Sequence, residues 1–167
     1  MNTKTRQLVT AALMAALVCI ATMIVKIPSP LKGYVNLGDG IVLACAWLLS
    51  PTYGFLAAGL GSALADIFSG YMVYAPATFL IKGLMAPIAY LIFSVFRKRS
   101  GKLLSRILGG LAAELFMVLG YFAFESFLYG PVPSAVNIPA NGAQGIVGLI
   151  VGIVLMKVLE KSKIASN

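Results

Sequence analysis

"GIVLACAWLLSPTYGFLAAGLGSALA", Gly40–Ala65, runs for 26 residues without a charge. It is long for one membrane crossing and short for two, because a full helical crossing needs ~20 apolar residues. Near its middle, Leu48–Gly54 reads LLSPTYG, a Ser-Pro followed by a Gly, which is turn chemistry. The choice between one span and a hairpin of two short ones fixes the topology of the whole chain.

The rest of the composition makes the membrane the natural solvent. The 167 residues are 60% hydrophobic and 11% charged, and the mean hydropathy is +0.95. No soluble domain of this length buries so much apolar surface. The chain has no His, which excludes His-based catalysis, proton relays and His metal ligation. Cys19 and Cys45 both lie in apolar runs and read as packing residues. Leu8–Val25 is too long for a signal-peptide core and is followed by no polar cleavage region, so it is expected to remain as the first span.

The lysine and arginine bias decides between five and six spans. With six spans and an inner N-terminus, Lys4, Arg6, Arg97, Lys98, Arg99, Lys102, Arg106, Lys157, Lys161 and Lys163 all fall inside. Only Lys26 and Lys32 fall outside, and Lys82 stands within a span. Five spans would put the Arg97–Arg106 cluster opposite Lys4 and Arg6, against the positive-inside tendency. The sequence therefore predicts an all-α membrane protein forming a single domain over residues 1–167. The six spans are about 8–25, 38–50, 51–68, 76–96, 103–128 and 140–158, with both termini cytoplasmic.

Lys82 interrupts "APATFLIKGLMAPIAYLIF" (Ala75–Phe93). A charge in a span costs at least ~2.5–3.5 kcal/mol at the helix centre and is a functional hypothesis by default. In the six-span topology Asp39, Asp66, Lys82, Glu125, Asn141 and Gln144 share the outer leaflet, with Glu114 near the middle. Glu114, Tyr121 and Glu125 fall on one helical stripe, as do Asn137, Asn141 and Gln144, and Thr78 with Lys82. The outer connections around Asn36 and Tyr74 are rich in Tyr, Asn, Gly and Pro. Aromatic faces with amide and carboxyl groups suit a flat, hydrogen-bonding small molecule. Structural readings stand beside these. Lys82 is also explained by pairing with Asp66 or Glu125, Asp39 by capping a helix, Tyr71 and Tyr74 by an interfacial belt, and Asn141 and Gln144 by helix–helix bonding. The expected ligand-binding set is Asn36, Asp39, Asp66, Tyr74, Lys82, Glu114, Tyr121, Glu125, Asn141 and Gln144.

Small residues recur at helical spacing in "TAALMAAL" (Thr10–Leu17): Ala11 with Ala15, and Ala12 with Ala16. Such pairs let two helices approach closely in lipid. Gly148 with Gly152, Gly54 with Ala58 and Gly61 with Ala65 offer internal contacts of the same kind. The chain holds no phosphate-binding loop, metal-ligand cluster or nucleophile–base pair. A capture protein without an engine implies that another subunit supplies the work. A scaffold whose buried charges are structural is the competing class; a small intramembrane enzyme is the weakest.

Taken together, these residues resemble the S (substrate-capture) component of energy-coupling factor (ECF) vitamin transporters. The likeness covers the whole chain. "YVNLGDGIVLACAWLLSPTYGFLAAGLGSALADIFSGYMVYAPATFLIKGLMA" (Tyr34–Ala86) is similar to the riboflavin-type and hydroxymethylpyrimidine/pyridoxine branches. The resemblance implies a bacterial plasma-membrane protein that binds one water-soluble vitamin between its outer loops and the outer halves of spans four to six. It implies a gating loop at about Lys26–Asp39. Ala11, Ala12, Ala15 and Ala16 match the motif that docks on a transmembrane coupling (T) component, with the register open. No cofactor is expected in this chain, ATP and Mg²⁺ being used by two ABC-type ATPase partners. Among vitamins, the polar outer groups suit a compact ring such as hydroxymethylpyrimidine or pyridoxine, with riboflavin or another vitamin as the alternative.

Overall fold

A computed structural model describes residues 3–29 and 33–162. Lys32 and Lys163, and the middle of the expected gating loop at 30–32, lie outside the described residues. Helix α1 (Thr3–Ile24) leads into a two-stranded antiparallel ribbon, β1 (Lys26–Pro28) and β2 (Tyr34–Asn36). Lys26 pairs with Asn36, Ile27 with Val35 and Pro28 with Tyr34. Then follow α2 (Gly38–Leu48), α3 (Pro51–Phe68), α4 (Ala75–Tyr129), α5 (Pro131–Ala135) and α6 (Ile138–Lys161). The ribbon is a small addition to an otherwise helical chain, and a three-residue strand is too short to register as hydropathy alternation.

Chain punctuation sets the helix ends. Leu49 and Ser50 are extended, and Pro51 opens α3, where its missing N–H costs nothing. The turn chemistry in the long apolar run thus breaks it into α2 and α3. In α4, Gly101 has φ 74° and ψ 167°, a non-helical conformation that glycine alone adopts cheaply. It divides α4 into arms at 75–100 and 102–129. The described residues therefore hold six longer helical segments, α1, α2, α3, the two arms of α4, and α6, with α5 as a one-turn connector.

Among the described residues three helical stretches are long and apolar enough to cross a membrane: α1, α4 and the α5–α6 stretch. Large apolar side chains cover the outside, including Leu13, Leu80, Leu91, Leu115 and Ile150, each more than half exposed. An exterior of this kind suits lipid and not water. The interior is built from small groups: Ala44, Ala58, Ala86, Ala89 and Ala113 are fully buried.

Glycine faces bring the helices together. A Cβ on Gly61 of α3 would lie 2.4 Å from the Ala15 carbonyl oxygen of α1. One on Gly109 would lie 2.6 Å from the Ala89 carbonyl oxygen, across the α4 hairpin. On α6, Gly148 and Gly152 admit α2, their Cβ positions falling 2.5 Å from Asp39 Cβ and 3.1 Å from the Gly40 carbonyl oxygen. This is the small-residue packing expected where no hydrophobic force drives helices together. Helix α2 is wrapped by α1, α3, α4 and α6. It is roughly 16 Å long at 1.5 Å per residue, about half the hydrocarbon thickness.

Candidate functional site

The ends of α3, α4 and α6 remote from the Arg97–Arg106 cluster converge beneath the β ribbon on a cleft. Ser29, Gly33, Tyr34 and Asn36 contribute from the ribbon side. Asp66 ends α3, Tyr71 and Tyr74 come from the following turn, Thr78, Tyr121 and Glu125 from the two arms of α4, and Asn141 and Gln144 from α6.

Side-chain hydrogen bonds fasten the ribbon down. Tyr34 donates its hydroxyl to Asp66 Oδ1 at 2.7 Å, and its ring lies 4.8 Å from that of Tyr71. Lys26 Nζ donates to Ser69 Oγ at 2.9 Å. The Asn36 backbone N–H donates to Gln144 Oε1 at 2.9 Å. Burial, followed by the adjoining Asp66 carboxylate, pushes the Tyr34 phenol above its ordinary range, so it remains a donor. Deeper in, Tyr74 and Asn137 donate to Glu125 Oε1, at 3.4 and 2.8 Å, and Thr78 and Tyr121 share a 3.0 Å bond.

Below this cleft lies a buried charge pair. The Lys82 ammonium bonds Asp39 Oδ1, and Gln144 Nε2 donates to Asp39 Oδ2 at 2.6 Å. Lys82 also sits 5.5 Å from the centre of the Tyr121 ring. Both Lys82 and Asp39 are almost wholly buried. The ammonium is compatible with its depth because a carboxylate and an aromatic face replace its water. Its partner is Asp39, not Asp66 or Glu125. Asp39 does not cap α2: both its oxygens are engaged with Lys82 and Gln144, while Asn36 Oδ1 accepts the Gly38 N–H at 2.9 Å.

Of the ten residues expected at the site, Asn36, Asp66, Tyr74, Tyr121, Glu125, Asn141 and Gln144 line the cleft. Asp39 and Lys82 lie beneath it. Glu114 faces a different cleft, between the second arm of α4 and α6. Tyr34 was not singled out in the sequence, although Tyr34 and Asn36 sit at strand spacing and share a face of β2. Two cleft oxygens, Asp66 Oδ2 and Glu125 Oε2, are buried without a hydrogen-bond partner. Such oxygens are expensive, and a ligand carrying donors would satisfy them. On α1, Ala11 and Ala15 turn toward the body of the protein, Ala11 being buried and Ala15 half-buried, whereas Ala12 and Ala16 are exposed.

Comparison with known proteins places this architecture. An uncharacterised protein of Pyrococcus woesei, from a gap 3′ region, is 38% identical over 146 residues, covering 86% of this chain and 95% of the relative. A solved structure described as that of the S component of a bacterial ECF transporter superposes with a TM-score of 0.76 at 27% identity. That match covers 95% of this chain and 97% of the other. The family model for the ECF-type riboflavin transporter, S component, matches residues 2–161. With nearly its whole length inside that match and its helices laid out as in an ECF S component, the chain belongs to the family of ECF-type riboflavin transporter S components, integral membrane subunits that capture a substrate for uptake.

Proposed function

We propose that this chain captures a vitamin with a flat heteroaromatic ring and hydroxyl groups in the cleft under the β ribbon, and delivers it inward with an energising module. The carrying observation is the pair of unpartnered carboxylate oxygens, Asp66 Oδ2 and Glu125 Oε2, set among Tyr34, Tyr71, Tyr74 and Tyr121. Carboxylate oxygens without partners ask for hydroxyl or N–H donors, and tyrosine faces ask for a ring. Riboflavin is the first candidate. The family description names it, the ribityl chain supplies donors, and four tyrosines provide more aromatic surface than the sequence suggested. The second reading is a compact ring, hydroxymethylpyrimidine or pyridoxine, favoured by how many of the lining groups are polar.

The ATP-driven step belongs to partners: a transmembrane T component and two ABC-type ATPases, which bind ATP and Mg²⁺. The exposed register of α1, Ala12 and Ala16, supports that face as the docking surface, while Ala11 and Ala15 serve internal packing.

The test is an equilibrium titration of the purified protein with riboflavin, pyridoxine and hydroxymethylpyrimidine, beside a mass spectrum of any co-purified small molecule. Riboflavin is expected to bind saturably. Asp66→Asn and Glu125→Gln should each weaken it by roughly 10- to 100-fold, the worth of a hydrogen bond to a charged group. Binding of a small ring alone selects the second reading. No binding by any vitamin overturns the proposal.

A further inference from the structure

Glu114 is a carboxyl that the proposed uptake site does not use. It is 5% exposed, and neither of its oxygens has a hydrogen-bond partner. It lies on the second arm of α4, and two glycines of α6 make room for it. A Cβ on Gly145 would meet Glu114 Oε2 at 3.1 Å, and one on Gly148 would meet Oε1 at 3.0 Å. The Gly148 position also touches Asp39 Cβ, so the two acids are neighbours. Asp39 has both oxygens satisfied by Lys82 and Gln144, and that buried ammonium is committed to it.

Glu114 instead lines a cleft whose other walls are Leu111, Leu115, Val118, Gly142, Gly145 and Ile146. Leu111, Leu115 and Ile146 are 49, 60 and 62% exposed on the apolar exterior, so the cleft opens sideways toward lipid. Its depth narrows the choice of occupant. Glu114 stands 12 residues beyond Lys102 and 15 before Tyr129, roughly 18 and 22 Å along the helix from each end. A lipid headgroup held at the interface does not reach it.

We propose that this lateral cleft is a second binding site, taking a molecule dissolved in the hydrocarbon that has an apolar body and one hydrogen-bond donor, an alcohol or an amine, directed at Glu114. Apolar walls accept the body. The donor satisfies a carboxyl that nothing in the described residues satisfies. The glycines of α6 set the opening, because any side chain at Gly145 would meet Glu114. This site is independent of the vitamin reading and survives its failure.

The experiment uses the full chain in membranes and dicyclohexylcarbodiimide, an apolar reagent that reaches carboxyls from lipid. The carboxyl O–H adds across one C=N bond: oxygen bonds to the central carbon and the proton goes to nitrogen. Acyl migration to nitrogen then gives a stable N-acylurea, with one reagent added and nothing lost. Peptide mapping by mass spectrometry should place this adduct on Glu114. A water-soluble carbodiimide should favour Asp66 and Glu125. Decanol or protonated N,N-dimethyldecylamine, which donates one N–H and cannot form an amide, should slow the Glu114 reaction by at least about five-fold, the effect of one ordinary hydrogen bond, whereas decane and methyl decyl ether, which carry no donor, should not. Slowing by decanol alone or by the tertiary amine alone also supports the site and identifies the head it takes. Absence of a Glu114 adduct in folded protein overturns the proposal. So does equal slowing by decane and by the donor-bearing compounds, or equal labelling of Glu114 by the water-soluble reagent. Mapping on the wild-type chain keeps the test valid even where Glu114→Gln fails to fold.

Discussion

Replacing Lys82 with methionine tests the idea that a buried ion pair supports the floor of the cleft. Lys82 and Asp39 are 3 and 0% exposed. Methionine keeps the length of the side chain and removes the charge. Asp39 then keeps one bond, from Gln144 at 2.6 Å, with no countercharge in direct contact. Breaking a buried pair from one side costs about 3–5 kcal/mol, because the abandoned charge remains desolvated. For a chain of this size each kcal/mol is worth roughly 2–4 °C in Tm, so Lys82→Met should lower the melting temperature by roughly 6–20 °C. The double variant Lys82→Met/Asp39→Asn removes both charges and preserves an acceptor for Gln144. It should recover at least half of the loss, since a neutral pair of similar volume is often no worse than the ions. Thermal unfolding in detergent, followed through intrinsic fluorescence, reads all three proteins. If the double variant melts no higher than Lys82→Met, or if Lys82→Met melts within a degree or two of wild type, the ion pair does not have the role assigned here.

Ala15→Trp should fail as a folding variant, because the half-buried Ala15 lies where α1 passes so close to α3 that a Cβ on Gly61 would stand 2.4 Å from its carbonyl oxygen, whereas exposed Ala12→Trp should bind vitamin normally and lose uptake in the reconstituted complex. Uptake unchanged in Ala12→Trp would remove the docking face. Tyr34→Phe deletes the 2.7 Å bond to Asp66 and should speed ligand release by about five- to ten-fold, the kinetic worth of ~1 kcal/mol, measurable by stopped flow. Because the folded-state pKa of Tyr34 is raised, its contribution is fully present below the unfolded phenol value near ~10 and declines as pH climbs beyond it. Wild type should therefore lose stability above that pH more steeply than Tyr34→Phe; parallel curves would remove Tyr34 from the account. On the inner side, Arg106 holds Glu160 with two bonds of 2.9 and 3.2 Å and lies 5.7 Å from the Trp47 ring centre. Glu160→Gln should thus destabilise by ~1–2 kcal/mol in the same melting assay, and no change would mark the contact as a surface pair.

The fold class was legible because its signals are strong and local. Apolar runs have few interpretations at this density, and Ser50-Pro51 announces a break whatever surrounds it. The basic run Arg97–Arg106 marks the break between spans four and five, although a single glycine within it does not declare that Gly101 takes the positive φ. The depth of the polar residues was also readable, because helical rise converts position into height. Pairing was not. Depth alone left Lys82 with two acids, and the chosen one, Asp39, is brought to it by the tertiary packing of α2 against α4 and α6. Glu114 shares a helical stripe with Tyr121 and Glu125, but at a distance of 7 and 11 residues the stripe passes from one cleft to another. The hydropathy pattern could not show that α6 divides them.

The shortness of α2 acts as a ruler. A helix of roughly 16 Å is about half of a ~30 Å hydrocarbon slab, and on its first turn Gln144 joins Asp39 to Asn36 at the edge of the cleft. The floor of the chamber is thus set by where this helix starts rather than by walls pushed apart. Relatives could retune cargo size by adding or removing a single turn at Gly38, leaving the surrounding helices in register.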